Sequence, residues 1–140
     1  MISISEAIQL VLGRVRSGTS ESVGVSEACG STLAEDLQAG ADVPGFRNSQ
    51  MDGFAVRASD LSGASTRTPV ILQAGETVAA GSGQPGRLPP AVAIPIMTGA
   101  ALPDDADAVV PIENTRSVET GIEFTTSPDV DAFVRQPGMD

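Results

Sequence analysis

At the start of the chain, Ile4, Ile8, Val11 and Val15 recur at helical spacing and form one apolar stripe. The spacing predicts a helix through SISEAIQLVLGRVRSG. Ser3 and Glu6 fit a capping box, in which each side chain takes the other residue's orphan amide. Arg14 and Arg16 are expected in the last turn, where cations suit the helix dipole, with Gly18 closing it. Ordinary packing is the first reading of the stripe, and a dimer seam is the alternative.

Beyond it, Val23–Val25 reads as a short strand, Ser26–Cys29 as a turn of helix, and Thr32–Gln38 as extended chain. From Gly40 onward the pattern is β-like. DGFAVRA alternates weakly, and TPVILQAGE is a compact β-branched run closed by Gly75. AVAIPIMTG alternates from Ala91 to Gly99, with Pro95 expected only at an edge or a bulge. ADAVVPIENT (106–115) is a further strand, predicted to pair with GIEFTTS as a hairpin across ETG. Gly81–Pro90 is loop by composition. Short strands separated by Gly and Pro predict a bent or barrel-like β domain at 45–127, mainly β with an N-terminal helix (α+β) overall.

Composition narrows the chemistry. The 140 residues include no His, Tyr, Trp or Lys; all eight basic residues are Arg, and Cys29 is the only cysteine. A Ser–His–Asp triad, a His/Cys zinc site, a Schiff base, a P-loop lysine and an internal disulfide are therefore excluded. Cys29, without a His to act as base, reads as a small buried side chain. A net charge of −10 disfavours nucleic acid and anionic membranes. An anionic ligand needs its positive charge from a metal ion or another domain, and a hard cation such as Mg²⁺ suits these carboxylates. No apolar run approaches the roughly 18 residues of a membrane helix. MISISEAIQL has neither the basic nor the long apolar region of a secretory signal, so a cytoplasmic location is the default expectation.

Three stretches carry candidate chemistry. In RNSQMDGFAV, one reading has Asn48, Ser49 and Asp52 capping turn amides while Gly53 supplies a positive φ. The other has a loop presenting an amide, a hydroxyl and a carboxylate to a metal-bridged oxyanion. In IMTGAALPDDADAVV, Thr98 and Gly99 end a strand, where a hydroxyl and exposed amides hold an anion. Asp104, Asp105 and Asp107 lack the spacing and closing Glu of a calcium loop, so they read as a solvated turn. In FVRQPGMD, Arg135 is a fork donor for carboxylate or phosphate and Asp140 is an acidic neighbour.

The order of VPGFRNSQMDGFAVRASDL, IPIMTGAALPDDADAVVPIENT and VRQPGMD, with SEACGSTLAEDLQAG upstream, resembles the N-terminal half of the molybdopterin molybdenumtransferases, the MoeA and gephyrin E-domain family. The NSxMDGFA and MTGAxLPxxADAVV blocks are its specific marks. The resemblance implies an enzyme that inserts molybdate into adenylylated molybdopterin, with release of AMP and a divalent cation such as Mg²⁺. It implies a homodimer, a connecting segment at 1–44 together with 128–140, and a β domain at 45–127. A nucleotide-binding α/β domain is expected after Asp140, and the chain alone is expected to be inactive.

By the same resemblance, Asp52, Thr98 and Asp140 line the catalytic cleft, with Asp52 and Asp140 as ligands of the cation. Asn48, Ser49, Gly53, Gly99 and Arg135 are the expected substrate-binding residues. Two departures stand out. GMD replaces the common GED, and Pro95 stands where a basic residue is common. A non-enzymatic β module for dimerisation or partner docking is the alternative function.

Overall fold

Ser3 and Glu6 close the capping box that their spacing predicts. Ser3 Oγ accepts from the Glu6 N–H at 3.2 Å, and Glu6 Oε2 accepts from the Ser3 N–H at 2.8 Å. The computed structural model describes residues 2–16, 18–81, 83 and 85–140. The helix α1 spans Ile4–Leu12 and ends sooner than predicted, with Gly13 as its C-cap. Arg14 and Arg16 lie beyond its last turn, and Gly18 does not close it. Glycine is a weak helix former, so the chain leaves the helix at the first glycine it meets.

Two units divide the chain, Met1–Ala39 and Gly40–Asp140. Among the described residues of the first, none is buried, and Ala7 and Ala28 are its least exposed. The apolar stripe of α1 is therefore uncovered, with Ile4 82% and Val11 60% exposed. Cys29 is exposed rather than buried. Val23–Val25 forms no strand. The chain turns there instead, with bonds from Glu27 N to Gly24 O and from Ala28 N to Val25 O.

Among the described residues, eight strands build the second unit: β1 Asn48–Ser49, β2 Gly53–Val56, β3 Val70–Ala74, β4 Val92–Ile96, β5 Ala108–Pro111, β6 Thr115–Val118, β7 Gly121–Phe124 and β8 Val134–Arg135. Six form a sheet in the order β5-β2-β4-β3-β7-β6, and β1 pairs with β8 separately. Among these strands, β3 and β4 pair in parallel and the other pairs are antiparallel. The expected class, mainly β with an N-terminal helix and a bent sheet, is what the chain adopts.

The weak alternation of DGFAVRA has a physical cause: both faces of β2 are covered. Phe54 and Val56 join a core with Leu61, Leu72 and Phe124, while Ala55 joins a second core with Ile94, Ile96, Val109 and Val134. The strand is buried at all four positions. Phe54 and Phe124 meet edge to face at 5.9 Å, a favoured aromatic geometry.

Two strand expectations need correction. Pro95 lies in β4, between β2 and β3, not at an edge of the sheet. It is tolerated because the β3 ladder ends at Ala74, opposite Ala93, and the neighbouring chain returns only at Val78, whose N–H donates to Pro95 O. The missing N–H of proline therefore faces a break in the ladder. The hairpin of GIEFTTS is made with β6, not with the whole of 106–115. A 3-10 turn at Ile112–Asn114 separates β5 from β6, and β6 then meets β7 across Glu119 and Thr120.

Candidate active site

The cleft is built outward from β1. On one side its backbone pairs with β8, Asn48 opposite Arg135 and Ser49 opposite Val134. On the other side it meets the chain after β4. Gly99 N donates to Ser49 O at 2.8 Å, Ser49 N to Ala100 O at 3.0 Å, and Leu102 N to Arg47 O at 2.9 Å. One strand thus joins three distant segments of sequence. The turn between them needs Gly99, whose φ is +80°; Ala100 N closes it onto Met97 O.

Asp52 follows β1 and is exposed. Its Oδ1 accepts two hydrogen bonds from Thr98, one from the backbone N–H and one from the hydroxyl, both 2.7 Å. Its backbone carbonyl accepts from Ile112 N at 3.1 Å. The carboxyl is held below the usual carboxylate range, first by the Thr98 N–H and then by its hydroxyl, because both bonds favour the ionised form. Among the described residues, Oδ2 has no hydrogen-bond partner. Asp52 is therefore no local turn cap: its partner lies 46 positions away.

Gly53 also departs from expectation. It has no positive φ. A Cβ at this position would lie 2.2 Å from Val110 O, so glycine is required by the close approach of β5. Ser49 is 1% exposed, and its hydroxyl donates to Met51 O and accepts from Met51 N. Of the three polar residues expected to cap turn amides, Ser49 alone does so locally.

Asn48, Ser49, Gln50, Thr98, Gly99, Arg135, Met139 and Asp140 line an open cleft of about 490 Å³. Arg135 donates from Nη2 to Asp140 Oδ1, joining those two residues across the cleft wall. The backbone N–H groups of Gly138 and Asp140 donate to Pro44 O and Val43 O, which fixes this last segment against the residues preceding β1. The expected site residues Asn48, Ser49, Thr98, Gly99, Arg135 and Asp140 thus share one cleft, and Asp52 joins it through Thr98. Gly53 stands behind Asp52 rather than in the cleft.

Gln50 and Met139 are lining residues that the motifs did not single out. Gln50 Nε2 reaches Val134 O at 3.4 Å, and Gln50 N donates to Phe133 O at 3.0 Å. Gln50 lies inside the RNSQMDG block, between Ser49 and Met51, and that position was the only signal for it. Phe133 has a positive φ of 53°, which its sequence does not announce.

Two of the three aspartates of PDDAD have structural side-chain partners. Asp105 pairs with Arg87 at 2.8 Å, and Asp107 Oδ1 accepts from Ala58 N at 2.6 Å. Among the described residues no group of three or more acidic, His or Cys side chains is arranged to hold a metal ion. Asp52 and Asp140 are hard oxygen donors of the type Mg²⁺ takes. That ion often uses one or two carboxylates and completes its shell with water and phosphate oxygens. The donor chemistry fits on those terms.

The chain is similar to known proteins along its length. Residues 2–140 match the family described as the MoeA N-terminal region (domain I and II). Molybdopterin molybdenumtransferase 2 of Mycobacterium tuberculosis is 36% identical over 140 residues, covering 100% of this chain and 35% of the relative. Molybdopterin molybdenumtransferase of Bacillus subtilis is 41% identical over 118 residues, covering 84% of this chain and 27% of the relative. A crystal structure of the molybdopterin biosynthesis MoeA protein from Pyrococcus horikoshii OT3 superposes with a TM-score of 0.81 at 30% identity, covering 97% of this chain and 36% of that one. The chain thus spans about a third of the length of such relatives. No helix among the described residues is long and apolar enough to cross a membrane. On the strength of the match across 2–140, the chain belongs to the MoeA N-terminal region family.

Proposed function

We propose that this chain is the N-terminal portion of a cytoplasmic, homodimeric molybdopterin molybdenumtransferase, which inserts molybdate into adenylylated molybdopterin and releases AMP. The observation that carries the reading is the Asp52–Thr98 contact. It joins the NSxMDGFA and MTGAxLPxxADAVV blocks of the family at one cleft. The relatives' names support the substrate class. The described residues correspond to about a third of the length of those relatives, and on their own they are expected to be inactive.

In this reading the chain contributes position and charge. Thr98 holds Asp52 ionised and fixed in orientation, leaving Oδ2 open. Asp52 and Asp140 would hold the divalent cation. When bound, Mg²⁺ supplies positive charge that offsets the phosphate and molybdate oxygens. Arg135 holds Asp140 at the cleft wall, and its remaining N–H groups face anionic substrate. Buried Ser49 and tightly packed Gly53 keep the loop from yielding.

The test is AMP release by the full-length chain given adenylylated molybdopterin and molybdate. Release that depends on molybdate supports the reading; no release in either condition removes it. A second reading, a non-enzymatic β module for dimerisation or docking, draws on the uncovered stripe of α1. A full-length Asp52→Asn, Thr98→Ala double variant separates the two: loss of turnover with association intact favours the enzyme.

A further inference from the structure

Asn48 is 6% exposed, yet its carboxamide makes no hydrogen bond with any described residue. Leaving such a group unmet in a protein interior costs about 1–3 kcal/mol. The amide is not sealed away, because no buried side-chain nitrogen or oxygen without a partner remains among the described residues. Its amide atoms therefore keep some contact with solvent, and the residue lines the cleft. The register fixes its neighbour. Asn48 and Arg135 stand directly opposite on antiparallel strands, so their side chains project from the same face with Cβ atoms about 4.5–5.5 Å apart. Ser49 and Val134, the next pair, face the other way and are buried.

The other polar groups of the cleft are committed differently. A threonine hydroxyl carries a single hydrogen, and that of Thr98 is donated to Asp52. The Thr98 N–H is donated to the same oxygen, and Gly99 N–H to Ser49 O. What Thr98 and Asp52 offer to a ligand is lone pairs. The uncommitted side-chain donors among the described lining residues are the Asn48 amide, the second N–H of Gln50 Nε2, whose other N–H is turned to Val134 O, and the N–H groups of Arg135 beyond the one held by Asp140.

We infer that Asn48 and Arg135 form a paired donor site for a doubly charged tetrahedral oxyanion, and that Asn48, not Thr98, is its neutral recognition residue. The inference rests on the proposed function and adds a division of labour. The Asp52–Thr98 side of the cleft accepts, and the Asn48–Arg135 side donates. A free tetraoxoanion and the phosphate of a nucleotide monoester share this chemistry.

The experiment is calorimetric titration of the full-length chain and its Asn48→Ala variant with sodium molybdate and, separately, with AMP. Loss of the amide donor should raise the Kd for one of these at least about tenfold, as expected for a hydrogen bond to a charged group. Weaker molybdate binding with AMP unchanged supports the site and assigns it to the free oxyanion; the reverse supports it and assigns it to the phosphate. Unchanged affinity for both overturns the inference while leaving the enzymatic reading intact. A wild-type chain that binds neither probe overturns both. The thermal midpoint should not fall, because no bond within the chain is lost. A clear fall with binding intact shows that the amide serves packing and overturns the inference. If Asn48→Ala does not fold, the near-isosteric Asn48→Asp replaces donors with acceptors and should weaken binding further.

Discussion

Thr98 gives both its backbone N–H and its hydroxyl hydrogen to one oxygen of Asp52, at 2.7 Å each. This contact makes a catalytic assignment testable apart from stability. Asp52 is exposed, and its loop is held independently by the Ser49–Met51 bonds and by the Asp52 carbonyl. Asp52→Asn in the full-length chain is expected to lower kcat by about 100-fold, the scale of losing one placed electrostatic group. The thermal midpoint should move little. An unchanged kcat removes the catalytic role and leaves Asp52 as a tether between the two blocks.

The same contact predicts a titration. The folded carboxyl of Asp52 lies below its unfolded value, so its bonds add stability above the unfolded pKa of about 3.9. That contribution is lost as the pH falls through the lower, folded value. Thr98→Val removes the hydroxyl donor but keeps the backbone N–H, the larger cause. NMR titration should then show the Asp52 midpoint rising only part of the way back. A midpoint unmoved by Thr98→Val means that the hydroxyl bond is absent in solution.

How much of this was legible in the sequence depends on the range of the interaction concerned. The capping box of Ser3 and Glu6 depends on residues three apart, and it forms as read. Strand β3 follows from the β-branched run TPVILQAGE, and β4 from the alternation of AVAIPIMTG. The place of Pro95 does not, because whether its missing N–H matters depends on where β3 stops. Gly53 shows the same limit. A glycine before a strand looks like a turn, and the carbonyl of Val110 that excludes its Cβ lies 57 positions away. Resemblance named six of the eight residues that line the cleft and passed over Gln50 and Met139; spacing alone left Asp52 and Asn48 open. No local pattern separates a committed hydroxyl at Thr98 from a free amide at Asn48.

Gly53→Ala should be among the most damaging single-atom changes in the chain. Its methyl would overlap Val110 O at 2.2 Å, and backbone does not yield as a side chain tip does. A loss of about 1–3 kcal/mol or more is expected from such overpacking. Gly86→Ala is the control, with no atom within 4 Å of the added methyl. Denaturant midpoints of the two variants compare them directly. Equal midpoints would mean that β2 and β5 are more loosely paired than their four-residue register implies.

Phe124 tests the first core. It is fully buried, packs edge to face on Phe54 and sits where β7 pairs with both β3 and β6. Phe124→Ala should cost about 3–5 kcal/mol, read from urea unfolding. Val134 belongs to the second core, so the cleft should lose order only with global unfolding. Loss of molybdate binding in Phe124→Ala while the protein remains folded would contradict that separation.

Arg135 and Asp140 give the last prediction, in which the two partners move one quantity in opposite directions. Arg135 holds a carboxylate oxygen of Asp140, and both side chains are partly exposed, at 44% and 39%. If Asp140 is a ligand of the cation, the guanidinium competes with that ion for it. Arg135→Gln should then lower the Mg²⁺ concentration giving half-maximal turnover in the full-length chain. The shift should be at most about fivefold, the worth of an exposed ion pair. Asp140→Asn removes the ligand itself and should raise the same concentration. Titration of turnover with Mg²⁺ after chelator treatment measures both. A shift in the same direction for the two variants would mean that the pair acts as one structural clasp on the cleft wall, and Asp140 would lose its assignment to the cation.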